Sequence, residues 1–150
     1  AISCNGALLY DFSSNRVLRH ATLERSQATA AILNIMQKFP QIGVEVMAGA
    51  GEMYVIRANT YTHAHQVDEK LSGVACPVDS VPDGWVKVVF AADPETIRKV
   101  GQYAKTRYYG RENYFLATNS IYLEIMRPAG YVYLAGRANP EHIGHRRLLQ

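Results

Sequence analysis

The sequence predicts an α+β fold in which a mainly antiparallel sheet has helices packed on one face. Strand pairs alternate with single helices in the order ββ, α, ββ, α, β, α, ββ, which is typical of this class and not of a doubly wound sheet. The predicted helices have apolar stripes that need a sheet face to cover them. The 150 residues are enough for one domain, and 48% of them are hydrophobic, as in ordinary globular proteins.

The chain opens with a predicted hairpin. Residues 2–10 have the apolar composition of a strand, which breaks at Asn5-Gly6. An extended pattern resumes at Val17 after a run of turn residues, as in a hairpin with a longer loop. Alternating or continuous apolar runs mark the later strands, which we predict at residues 44–48, 53–56, 86–91, 114–117 and 121–126.

Two helices are predicted in the first half of the chain. The apolar positions of the first repeat with the spacing of one helical face: Ala28, Ala31, Ile32, Ile35, Met36 and Phe39. Thr22 is its predicted N-cap, and Pro40 ends it. A second, more polar helix is predicted over residues 60–71.

A third helix is predicted to begin at Asp93-Pro94-Glu95. Asp93 is a suitable N-cap, proline favours the first helical position, and an acid in the first turn suits the helix dipole. Residues 72–84 are rich in proline, glycine and aspartate and predict a loop. The tail, residues 131–150, has the pattern of one more strand and a short helix.

Composition limits the classes of function. The net charge of +3 is too small for a strong electrostatic footprint on nucleic acid, so the basic and aromatic residues 105–111 are interpreted as a solvated helix end. Cys4 and Cys76 show no metal or redox spacing, which indicates reduced thiols and a cytoplasmic protein. No apolar run approaches 18 residues, so no membrane partner is expected. The chain begins in mid-pattern, so we expect that Ala1 is not its natural start.

The residues alone give no recognisable active site. His63 and His65 are two apart in a predicted helix and point in different directions. His142 and His145 could share a face, but no third ligand lies near them in the sequence. The glycines at 49–51 suit a hairpin turn, because they lack the phosphate-loop pattern and the helix that follows it. No carboxylate pair suited to magnesium-dependent phosphoryl transfer is present.

Three segments carry a resemblance to a known family. Residues 2–11 read ISCNGALLYD, which resembles the I-[ST]-x-N-G-A segment by which Cof-type haloacid dehalogenase-like phosphatases pass from catalytic core to cap. VKVVF at 86–90, with DPE at 93–95, resembles the family's K-x-[LI]-F strand and D-P-E helix start. YLEIM at 122–126 resembles the strand that leaves the cap.

The resemblance implies a cap domain, covering residues 1–130, that is entered through a junction at about residues 1–10. Family members are magnesium-dependent phosphatases of small phosphorylated metabolites, and the cap closes over the substrate. The aspartate nucleophile and the metal-binding acids belong to the core, so this chain is expected to hold no catalytic or metal-binding residue. Magnesium is expected only for the full-length parent. Asn5, Gly6 and Glu124 are the implied substrate-proximal residues.

The end of the sequence departs from the family pattern. After the last matching strand the family has G-V-[SD]-K-G, whose lysine reaches the phosphate site. Here residues 127–134 read RPAGYVYL, and Lys105 is the last lysine of the chain. Residues 131–150 are therefore treated as a tail outside the family pattern, and the fragment alone is predicted to be inactive.

Two other classes of function stay open from the sequence. A small-ligand regulatory domain of ferredoxin-like type would also combine antiparallel strands with packed helices. A nucleic-acid-binding module could use the cluster of Arg107, Tyr108, Tyr109 and Arg111, although a nucleic-acid partner is not the expectation.

Overall fold

The computed structural model describes residues 2–3, 8–11, 16–20, 22–49, 51–107, 115–118 and 120–126, with side chains within 22–49, 51–107 and 120–126. The predicted tail at 131–150 lies outside these ranges. A small three-stranded sheet has the order β1-β2-β3, with antiparallel pairing throughout. Its strands are β1 (Ile2–Ser3), β2 (Leu8–Asp11) and β3 (Arg16–His20), which confirms the opening hairpin.

A six-stranded sheet has the order β6-β5-β4-β7-β9-β8. Its strands are β4 (Gly43–Ala48), β5 (Glu52–Arg57), β6 (Gly73–Ala75), β7 (Trp85–Ala91), β8 (Phe115–Thr118) and β9 (Tyr122–Met126). The β5–β6 pair is parallel, and the other four pairs are antiparallel. Every residue of β4 and β7 is buried, as expected for central strands covered on both faces. Together with the three α-helices of the described ranges, these strands make a mixed α/β fold.

Helix α1 (Arg25–Lys38) begins three residues after the predicted N-cap. The cap is Glu24, whose carboxylate accepts hydrogen bonds from the backbone amides of Ser26 and Gln27. Thr22 was therefore the wrong cap, because a glutamate directly before the first turn can reach the same amides. At the other end, the Arg57 guanidinium donates to the Phe39 carbonyl at 2.7 Å and satisfies a group left open by the helix end.

Helix α3 (Pro94–Arg107) begins as predicted, and Asp93 accepts from the Thr96 amide at 3.1 Å. It packs with α1 on one face of the six-stranded sheet, which we call the apolar face. The strand residues pointing to this face are Val44, Val46 and Ala48 of β4, Val88 and Phe90 of β7, and Leu123 and Ile125 of β9. The helices cover them with Ala28, Ile32 and Ile35 of α1 and Ile97, Val100 and Ala104 of α3.

Helix α2 (Thr60–Glu69) lies on the opposite face, so the prediction that all helices pack on one face was wrong. Its buried residues are Thr62 and His65, which suit a face with polar groups. Gly43 makes the close approach possible, since a Cβ there would lie 2.5 Å from Thr62 Cγ2. Asn59 caps α2 and also donates to the Ala91 carbonyl at 2.8 Å, which fixes the helix start to the end of β7.

The region predicted as one loop, residues 72–84, contains β6 and a short 3-10 turn at Val78–Ser80. Strand β6 has only three residues, which is too short for any periodic signal, and its parallel pairing with β5 defines it. Among the described residues, none of the helices has the length and apolar character needed to cross a membrane.

Candidate functional site

The face of the six-stranded sheet opposite the apolar face carries charged side chains, and we call it the polar face. Glu45 of β4 pairs with Val89 of β7, which pairs with Glu124 of β9, so these three side chains lie in one row across the sheet. Lys87 lies two residues before Val89 and points to the same face. Around them, buried methionines make the surroundings dry: Met47, Met53 and Met126. Charges in such a place need close partners.

Glu45 has its partner on α2. Its Oε1 lies 2.8 Å from Nδ1 of His65, and both side chains are buried, with exposed fractions of 0% and 6%. The His65 ring also packs against Tyr122, with 4.7 Å between the ring centroids. On the solvent side, Nε2 of His65 lies 3.9 Å from the Glu69 carboxylate one turn along the helix. The imidazole therefore lies between an inner and an outer carboxylate.

Lys87 and Glu124 form the second pair. The Lys87 ammonium donates to Oε1 of Glu124 at 3.0 Å, and the exposed fractions of the two side chains are 10% and 18%. The pair is diagonal across the antiparallel strands β7 and β9, where long side chains can meet. We call Glu45, His65, Lys87 and Glu124 the charge cluster. With His65 protonated, it holds two positive and two negative groups.

Two groups in this region have shifted acidities. The hydrogen bond with Glu45 raises the pKa of His65 above its ordinary 6.5, against the opposing effect of burial. Burial, followed by the nearby carboxylates, raises the pKa of the Tyr122 hydroxyl. Oε2 of Glu45 is buried and has no hydrogen-bond partner among the described residues. The Glu45 carboxylate therefore depends mainly on His65 for compensation of its charge.

Of the three residues predicted to lie near a substrate, Glu124 belongs to the charge cluster, where it pairs with Lys87, and Asn5 and Gly6 lie outside the described residues. That Glu124 contacts a substrate stays a prediction. The charged residues Glu45 and Lys87 were missed, although each interrupts an otherwise apolar strand, and that interruption is a usable signal. His65 was considered only as a metal ligand. The prediction that His63 and His65 point apart is confirmed, because His63 is exposed and His65 is buried.

A cavity of about 520 Å³ lies at the end of the sheet where β7 stops, between the end of α1 and the starts of α2 and α3. Asn59 and Asp93 line it, but both already accept backbone amide hydrogen bonds as helix caps. The charge cluster is thus the better candidate site. Within the described part of the chain, no three His, Cys, Asp or Glu side chains come together as metal ligands, so the described residues offer no fit for magnesium.

Solved structures of haloacid dehalogenase-like hydrolases share this fold. One from Bacteroides thetaiotaomicron superposes with a TM-score of 0.72 at 17% identity, covering 93% of this chain and 52% of that one. A HAD/COF-like hydrolase from Plasmodium vivax gives a TM-score of 0.68 at 18% identity, with coverages of 90% and 49%. A second Bacteroides thetaiotaomicron protein, described among phosphatases of this superfamily, gives a TM-score of 0.60 at 14% identity, covering 89% of this chain and 47% of that one. The chain therefore spans about half the length of these structures.

These likenesses show the fold that the chain shares with haloacid dehalogenase-like hydrolases. The sequence shows the family, because the model of the haloacid dehalogenase-like hydrolase family matches residues 1–130. The chain belongs to that family. A comparison with curated proteins found no match.

Proposed function

We propose that this chain is the substrate-covering cap of a Cof-type, magnesium-dependent phosphatase that acts on small phosphorylated metabolites. The observation that carries the proposal is the family match over residues 1–130, which ends shortly after β9. The coverage of about half of each solved relative supports it, since a cap would account for only part of such an enzyme. The cytoplasm is the proposed location.

In this proposal the chemistry belongs to a catalytic core that this chain does not provide. The core would supply the aspartate nucleophile and the magnesium ion, which stabilises the charge of the transferring phosphoryl group. The cap would exclude water and hold the part of the substrate that carries no phosphate. The proposed partner is the metabolite alone, with no role for a nucleic acid or a membrane.

The charge cluster suggests how the cap would recognise its substrate. An ammonium group has three donors, and Glu124 uses one of those on Lys87. The remaining donors, together with the Glu124 carboxylate, would suit the hydroxyl groups of a sugar or polyol phosphate. Because both side chains are more than four-fifths buried, such hydrogen bonds would form in a dry environment, where they are strong.

Replacing Lys87 with methionine in the full-length enzyme is expected to raise KM for the best sugar phosphate about tenfold, as one charge-assisted hydrogen bond of roughly 1.5 kcal/mol is lost. The kcat/KM for p-nitrophenyl phosphate, which has no such hydroxyl groups, should stay within about twofold. The matched control is Lys99→Met on α3, an exposed lysine paired with Glu95 one turn away. Equal losses on both substrates would argue against a recognition role.

The isolated 150-residue chain is expected to hydrolyse no p-nitrophenyl phosphate with magnesium. The same assay on the full-length parent should give magnesium-dependent turnover that is lost with a chelator. Turnover by the isolated chain would overturn the cap proposal, and an inactive parent would overturn the phosphatase proposal. The alternative of a ferredoxin-like regulatory domain has no support from the family match or the solved relatives.

A further inference from the structure

Helix α2 is held on the polar face by few apolar contacts. Its buried residues are Thr62, which belongs to the capping network, and His65, whose ring nitrogen meets Glu45. By contrast, α1 buries two isoleucines and α3 an isoleucine and a valine. Because hydrophobic burial contributes most of the attachment of a helix, α2 depends more than its neighbours on polar contacts, which are those of the Asn59 cap, the Gln66 side chain and the Glu45–His65 pair.

Of these contacts, the Glu45–His65 pair contains a titratable imidazole, so its strength changes with protonation. Glu45 is fully buried, and its Oε2 lacks a hydrogen-bond partner among the described residues. A protonated His65 neutralises this carboxylate at 2.8 Å. A neutral His65 can still donate from Nδ1, but it leaves a negative charge in a methionine-lined face. Burying an unpaired charge is costly, so loss of the proton favours separation of α2 from the sheet.

We propose that the Glu45–His65 pair is a proton-dependent latch, which holds α2 on the polar face when His65 is charged and loosens it when His65 is neutral. The latch goes beyond the proposed function. Only its consequence for the substrate rests on that function, because α2 lies on the same face as the Lys87–Glu124 pair and its movement would change access to that pair.

The charged groups that act on His65 are Glu45 of β4, Lys87 of β7 and Glu69 of α2, and the ring packs against Tyr122 of β9. One step further out, Glu124 pairs with Lys87, and Asp68 of α2 acts on Tyr122. Lys87 repels a charged imidazole, but it is paired with Glu124, and the two carboxylates at 45 and 69 outweigh it. The folded chain therefore holds the proton more tightly than the unfolded chain.

The direction of the pH dependence follows from this. A group whose pKa is raised by folding stabilises fully below its unfolded pKa of about 6.5, and that stabilisation is lost as the pH rises through the folded value. The attachment of α2 should therefore weaken above about pH 6.5. Since one proton is involved, the equilibrium for opening can change by at most about tenfold per pH unit.

The test is hydrogen exchange of the whole 150-residue chain from about pH 6 to about pH 9, corrected for intrinsic rates. Protection of the α2 amides should fall with pH by up to about tenfold per unit, relative to the α1 amides in the same sample. In Glu45→Gln, which keeps a hydrogen-bonding side chain without the charge, this difference between the helices should disappear. His63→Gln, an exposed histidine of the same helix, should behave like the wild type.

Two results would overturn the latch: α2 protection that follows α1 at every pH, or an unchanged pH dependence in Glu45→Gln. If that variant does not fold, the test is a pH titration of the His65 imidazole in the wild-type chain, followed by NMR. A titration midpoint at or below about pH 6.5 would contradict the latch. None of these measurements depends on phosphatase activity. The latch and the proposed function can therefore fail separately.

Discussion

Replacing His65 with alanine is expected to destabilise the chain by about 3–5 kcal/mol, because it leaves the buried Glu45 carboxylate without its cation. The expected magnitude is large because both side chains are removed from solvent and no other described group compensates Oε2. The measurement is urea unfolding near neutral pH, followed by the fluorescence of Trp85, the single tryptophan of the chain.

Two further variants separate the charge effect from the loss of a side chain. His63→Ala removes an exposed histidine from the same helix and should change the unfolding free energy by no more than about 0.5 kcal/mol. The double variant Glu45→Leu/His65→Leu replaces the ion pair with apolar groups and should recover most of the lost stability. If His65→Ala lowered the free energy of unfolding as little as His63→Ala, the Glu45 carboxylate would not need His65 to compensate its charge.

Replacing Phe90 with alanine is expected to cost about 3–5 kcal/mol through the cavity it leaves. Phe90 is fully buried in β7, at the centre of the sheet and on the apolar face. Neighbouring strands hold it on both sides, through Val44 of β4 and Leu123 of β9, so the site cannot collapse easily. The midpoint of thermal or urea unfolding reports the loss.

The matched control for Phe90 is Leu33→Ala on α1. Leu33 is 52% exposed, and alanine is at least as good a helix former, so the unfolding free energy should stay within about 0.5 kcal/mol of the wild type. A comparable loss in the two variants would mean that the apolar face is not the main core. It would also remove the reason for placing the functional site on the opposite face.

The sequence predicted the elements of the apolar side well, because burial on one side leaves a periodic pattern. The isoleucines at 32 and 35 mark the inner face of α1, and both are fully buried. The mostly apolar run at 86–91 marks β7, which begins one residue earlier at Trp85. In both cases the burial of regularly spaced apolar side chains determines the sequence pattern and also stabilises the helix or strand.

The polar side was predicted poorly, because its contacts join residues distant in sequence. His65 is an ordinary helical residue until the fold places it beside Glu45, twenty positions earlier. Lys87 meets Glu124 across 37 positions, and neither residue carries a local sign of its partner. The packing of α2 on the polar face requires a glycine at position 43, because a Cβ there would clash with Thr62. The sequence does not show that these two residues meet.

The Asn59 amide has a consequence for the order in which the chain can fold. Its Nδ2 donates to the Ala91 carbonyl, thirty-two positions later, at the end of β7. During synthesis from the N-terminus, α2 is complete well before that carbonyl exists, so this hydrogen bond can form only after β7 has joined β4. Contacts across such a separation form slowly, since loop closure must come first. We expect α2 to dock late in folding. Because its inner surface is polar, exposure of that surface to water before docking costs little free energy.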